Sequence, residues 1–138
     1  MILFDTSVVI DARDPDSEFH EWAKQQIAEA SSTTGAAVNS VVIAEASVRV
    51  EQREYFNRRL ENIGFTLLPL PVSAAQPAAK AFAVYLNRLK SEGKTAKSKI
   101  PMGDFFVGAH AEAEGLKLVT RDPARIATYF PKVELIQP

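Results

Sequence analysis

The chain has 138 residues, 46% apolar and 24% charged, with a formal net charge of −1. This fits one domain, 1–138, with a real core, and excludes a global basic field of the kind that announces a nucleic-acid ligand. The absence of cysteine excludes disulfides, a thiol nucleophile and cysteine-held zinc, and two histidines, His20 and His110, are too few for a histidine metal site.

In chain order, Ile2–Phe4 reads as a short buried strand that runs straight into Asp5. "DPDSEFHEWAKQQIAEAS" predicts an amphipathic helix, with Asp14 or Asp16 as N-cap and Pro15 near the first turn. Its stripe of Phe19, Trp22 and Ile27 is core, or a dimer or partner surface if exposed. "AAV" predicts a second strand, and Asn39-Ser40 caps a helix from Val41 to about Glu51. A further helical piece near Glu54–Asn62 stops at Gly64. "FTLLPLP" is a third strand, placed towards a sheet edge by Pro69. Ser73 to about Lys90 is a long helix that must take Pro77 in its first turn or so. "SEGKTAKSKIP" is a loop, "MGDFFVGAHAEAEG" a compact helix, "LKLVT" a fourth strand and "VELIQ" a fifth.

Strands alternating with helices predict an α/β fold with a mostly parallel sheet covered on both faces. Ligands in such sheets bind outside the carboxyl ends of the strands. No apolar run approaches the roughly 20 residues of a membrane span, and Asp5 interrupts the N-terminus before a signal-peptide core can form. The expectation is a cytoplasmic protein with no membrane partner.

Asp5 poses the central question, because an ionised carboxylate at the end of a buried strand is costly unless it is paired or binds a metal. Three more acids follow strands or sit early in the next helix: Glu45, Asp104 and Asp122. Each has an ordinary explanation alone. Asp104 suits a helix N-terminus, Asp122 before Pro123 can open a turn, and Glu45 can face solvent. Together they feed one edge of the sheet, where carboxylates repel unless a cation neutralises them. Oxygen ligands without histidine or cysteine suit Mg²⁺ or Mn²⁺, which can activate water and stabilise charge at a phosphodiester.

The stretches "ILFDTSVVID", "NSVVIAEASV", "MGDFFVGAHAEAEGLKLVTRD" and "YFPKVELIQP" resemble, in order, the PIN-domain ribonucleases, most closely the VapC-type toxins. The resemblance implies a three-layer α/β/α fold and Mg²⁺- or Mn²⁺-dependent endonuclease activity on RNA. It carries the family's acidic cluster to Asp5, Glu45, Asp104 and Asp122, as metal ligands and catalytic residues. It makes Thr6 and Thr120 supporting hydroxyls, with Ser7 a hydroxyl where many members carry asparagine. It also implies a homodimer and a small antitoxin partner.

Arg88, Lys90, Lys94, Lys97 and Lys99 crowd a short stretch with one acid, Glu92. Lys94, Lys97 and Lys99 are candidates to grip RNA phosphates, against an ordinary solvated loop. Arg121 and Arg125 flank Asp122 and are candidates for phosphate contact or for pairing to the acids. His110 is expected in a surface or packing role. Gly108 lies four residues from Asp104, on the same helix face, where a side chain would crowd the pocket or the helix–sheet packing. Two other readings compete. A degenerate PIN scaffold would serve as a binding module, although degeneration usually loses acids. An aspartate-nucleophile phosphatase would resemble D-x-D at Asp5, and here Ser7 takes the second position.

Overall fold

The computed structural model describes residues 1–94 and 102–138. Five strands form one wholly parallel sheet: β1 (Ile2–Phe4), β2 (Ala36–Asn39), β3 (Phe65–Leu68), β4 (Lys117–Val119) and β5 (Leu135–Ile136), in the order β3-β2-β1-β4-β5. β1 pairs with both β2 and β4, setting Phe4 against Val119. The chain therefore builds outward from β1 to β3, returns to the other side of β1, and continues to β5. The reversal makes the carboxyl ends of β1 and β4 the crevice where ligands bind in such sheets.

Among the described residues, seven α-helices complete a three-layer α/β/α fold: α1 (Thr6–Arg13), α2 (His20–Ser32), α3 (Ser40–Ser47), α4 (Phe56–Ile63), α5 (Ala75–Ser91), α6 (Met102–Glu114) and α7 (Pro123–Tyr129). α1 packs on α2 and α3, and α6 packs on α3, α5 and α7. Burial on both faces explains the unbroken apolar runs at Leu3–Phe4, Ala36–Val38 and Leu118–Val119, all essentially inaccessible. β3 is an edge strand, as Pro69 predicts.

Several boundaries differ from expectation. α1 and α7 are additional short helices, opening directly after Asp5 and Asp122 respectively. Asp14 and Asp16 do not cap α2. Asp14 ends α1, its Oδ1 accepts from Asp16 N at 3.0 Å, and Phe19 opens α2 without a side-chain cap. Pro15 therefore belongs to the turn between the two helices. α3 stops at Ser47 rather than near Glu51. Gly64 ends α4 at φ +119°, where an L side chain is strained, and Pro77 sits in the first turn of α5.

α6 is held by aromatic rings. Phe105, fully buried, meets Phe82, Tyr85, Tyr129 and Phe130 at centroid distances of 5.7, 5.4, 5.2 and 6.4 Å. Gly108 is a packing residue, because a Cβ there would overlap the Phe130 ring. The nearest atoms belong to Phe130 rather than to an acid, so the close-packing reading holds, with the ring at the end of α7 rather than the sheet as the partner. His110 also packs inside: Asn39 Nδ2 donates to His110 Nδ1 at 3.1 Å, and burial holds the ring's pKa below its ordinary value. Asn39 Oδ1 meanwhile accepts from Val42 N at 3.0 Å, capping α3 as predicted. None of the described helices is long and apolar enough to cross a membrane.

Candidate functional site at the switch point of the sheet

Asp5 lies where β1 ends and α1 begins, 7% exposed. Its backbone N–H donates to Val119 O at 3.0 Å, tying it to β4. Its carboxylate accepts from Thr6 N at 2.8 Å through Oδ1, and from the Thr120 hydroxyl at 2.9 Å through Oδ2. Asp5 is thus the N-cap of α1, a role that any aspartate can play. Its electrostatics distinguish it. Burial, followed by the negative charges of Asp104 and Glu45, pushes its pKa up to about 6, against the pull of the Thr120 and Thr6 hydrogen bonds.

Those charges identify the acids that surround Asp5. Asp104 comes from the first turn of α6, and Arg125 of α7 forms a salt bridge to its Oδ2. Glu45 projects from α3 and accepts from the Thr6 hydroxyl at 2.8 Å. The first turn of α6 runs close beneath it: a Cβ on Gly103 would stand 2.6 Å from Glu45 Oε2. Asp122 is arranged differently. It opens α7 in an exposed position and its backbone N–H donates to Thr120 Oγ1 at 3.1 Å, but its charge is not among those that raise Asp5. Thr120 is fully buried and links the two, donating to one acid and accepting from the backbone of the other. Ser7 Oγ is enclosed and has no hydrogen-bond partner among the described residues.

Among the described residues, no three Asp, Glu or His side chains stand at metal-holding spacing. The arrangement still fits a hard cation. Every donor is oxygen, the like charges of Asp104 and Glu45 bear on Asp5, and among the described residues an unpartnered hydroxyl lies two residues from Asp5.

The basic candidates divide. Arg125 pairs with Asp104, the second of the roles expected for it. Arg121 also pairs with an acid, but with Asp11: its Nε lies 3.3 Å from Oδ2, its guanidinium lies over the Phe19 ring at 5.4 Å, and Ser17 donates to Asp11 Oδ1 at 2.8 Å. Built on the buried Asp11 carboxylate, this group clamps the turn after β4 onto α1 and the turn that follows it. Asp11 escaped the sequence reading because "VVIDAR" gives no sign that this acid points inward. Lys94 forms a salt bridge with Glu92 at 3.4 Å. Lys97 and Lys99 lie outside the described residues.

The family model for the PIN domain matches residues 2–130. The chain belongs to the PIN-domain family. The match ends before β5, whereas the alignments to solved structures extend over the whole chain or nearly so. Among solved structures, the VapBC2 complex of Rickettsia felis, bound to a fragment of its promoter DNA, contains a chain similar at 16% identity and TM-score 0.64, covering 100% of this chain and 99% of that one. FitAcB of Neisseria gonorrhoeae is similar at 23% identity and TM-score 0.63, covering 99% and 96%. DNA-bound VapBC of Salmonella typhimurium is similar at 17% identity and TM-score 0.64, covering 99% and 98%. These likenesses establish the shared fold. No curated protein sequence matches the chain.

Proposed function

We propose that this PIN-domain protein is a Mg²⁺- or Mn²⁺-dependent endoribonuclease and the toxin of a toxin–antitoxin pair. The observation that carries the reading is Asp5, buried at the switch point with two further acids near enough to raise its pKa. A stabilising network that only capped helices would gain nothing from gathering like charges there. Asp5, Glu45 and Asp104, with Asp122 beside them, would hold the cation. When bound, it would supply the positive charge that activates water and offsets charge at the scissile phosphate.

The protein's own groups orient that site. Thr120 and the Thr6 N–H each hold one oxygen of Asp5, which leaves the carboxylate little rotational freedom. The Thr6 hydroxyl holds Glu45. Arg125 holds Asp104 and keeps a cation beside the acids, suited to a phosphate once substrate arrives.

The toxin reading is supported by the solved structures, whose similar chains belong to VapBC and FitAB assemblies. A small antitoxin would cover the acids with an arginine or lysine in place of the metal, because either cation relieves the same repulsion. A homodimer belongs to the same reading. The degenerate-scaffold reading has one observation in its favour, since Arg125 already neutralises Asp104 without metal.

Purified protein incubated with pooled RNA, in Mn²⁺ and in EDTA, separates these readings. The nuclease yields discrete new RNA ends in Mn²⁺ only, and its melting temperature climbs with Mn²⁺ concentration, because a ligand of the folded state stabilises by mass action. Intact RNA with a melt indifferent to Mn²⁺ would leave the scaffold.

Gly103→Ala probes the geometry without replacing an acid. The added methyl meets the end of an exposed, flexible side chain, so Glu45 swings aside and the fold loses little, within about 0.5 kcal/mol. Cleavage should drop about tenfold, the effect of ~1.4 kcal/mol in the barrier. Full activity would show that Glu45 is not needed where it stands.

A further inference from the structure

A cleft of about 340 Å³ opens between α5 and α7, lined among others by Tyr85, Arg88, Glu92, Arg125 and Tyr129. It shares Arg125 with the acidic site, since that guanidinium also reaches Asp104. The Tyr85 and Tyr129 rings meet edge to face at 6.1 Å and are anchored from behind by Phe105, so their positions are set by the core. Arg88 lies beside the Tyr129 hydroxyl and is held from the other side by Glu92, 3.5 Å away. Two aromatic rings and two guanidinium forks lining one cleft match the two halves of a nucleotide. A base stacks on rings of any sequence context, and a phosphate takes paired N–H donors from arginine.

We propose that this cleft holds one nucleotide of a single-stranded RNA chain next to the acidic site, with Arg88 and Arg125 on its phosphates and Tyr85 and Tyr129 against its base. The proposal rests on the nuclease reading and adds a nucleotide subsite to it. Base-paired RNA keeps its bases stacked inside the duplex and cannot offer one to these rings. Arg125 spans both regions, so a chain whose phosphate lies at the acids has its neighbouring nucleotide at the cleft. Glu92 stands in for the phosphate when RNA is absent. The exposed pair costs little to exchange, because both partners are partly solvated.

The test uses the full-length protein in EDTA and a fluorescent single-stranded RNA octamer, with affinity read by anisotropy across a salt series. Arg88→Ala should weaken binding about tenfold and flatten the salt dependence by about one phosphate contact. Arg88→Lys should restore the salt slope but not the affinity, because lysine keeps the charge and loses the fork. Glu92→Gln should tighten binding, an effect that a purely structural Arg88–Glu92 pair would not produce. Thermal melts verify that these surface variants fold.

The proposal is overturned if the parent does not bind the octamer, if Arg88→Ala and Glu92→Gln both leave affinity and salt slope unchanged, or if free adenosine monophosphate binds as tightly as the octamer. Cleavage in Mn²⁺ separates this outcome from the fate of the nuclease reading. A parent that cuts RNA yet ignores Arg88 loses the cleft and keeps the nuclease. A parent that binds through Arg88 without cutting keeps the cleft and loses the nuclease.

Discussion

Asp5→Asn is expected to stabilise the metal-free protein at pH 7.5 while lowering RNA cleavage by orders of magnitude. The folded state holds the Asp5 proton more tightly than the unfolded chain does, with a pKa of about 6 against 3.8. Stability contributed by this group is therefore complete below about pH 4 and is lost as the pH rises through 6. At 1.36 kcal/mol per pKa unit, the loss is ~3 kcal/mol at neutral pH. Asparagine keeps an oxygen for the Thr6 N–H and removes the charge that burial, Asp104 and Glu45 oppose. Its amide would donate to Thr120 Oγ1 where the carboxylate accepted. The variant should thus gain up to ~3 kcal/mol over the parent at pH 7.5 and nothing at pH 3.5. Urea unfolding in EDTA at the two pH values measures this. Mn²⁺ should stabilise the parent and not the variant, and cleavage should fall by about 10²–10³, the range for removing one preorganised electrostatic group. A variant less stable than the parent at pH 7.5 would mean that Asp5 is a helix cap first, and would remove the main support for a metal site.

Phe105→Ala should carry the largest stability loss. The ring is fully buried among four others that join α5, α6 and α7. Emptying such a position costs about 3–5 kcal/mol, a large share of the roughly 5–15 kcal/mol that holds a domain together. Its consequence reaches the site, because Asp104 is the adjacent residue and Tyr85 and Tyr129 lean on the same ring. Equilibrium urea unfolding should show the loss, and the variant that remains folded should bind the RNA octamer more weakly than the parent. A loss under 1 kcal/mol would show that the cluster repacks and that α6 is held by other contacts.

The Gly103 and Gly108 pair shows how close a sequence argument comes and where it stops. Spacing puts Gly108 under Asp104, four residues on, and suggests a packing constraint. Only the structure shows that it faces Phe130, while Gly103 faces Glu45. Helix periodicity tells which residues share a face. It does not tell what stands opposite, because that depends on how α7 and α3 are packed against α6.

The sequence alone determined the α/β class, all five strands, the Asn39 cap, the stop at Gly64 and the edge position of β3. These rest on local chemistry: apolar runs for strands buried on both faces, capping side chains, and the φ freedom of glycine. It also marked Asp5, Glu45, Asp104 and Asp122 as worth attention, since acids after buried strands are costly without a purpose. Tertiary structure decided the rest. α1 and α7 are too short for a periodic stripe to show, yet they carry Thr6 and Arg125 to the site. The strand order, which brings residues 5 and 120 into hydrogen-bond contact, depends on chain crossovers that no local pattern encodes. So does the choice of partner for each charge. Arg121 took Asp11 and Arg125 took Asp104, because a charge is satisfied by whichever opposite group the packed elements place within reach.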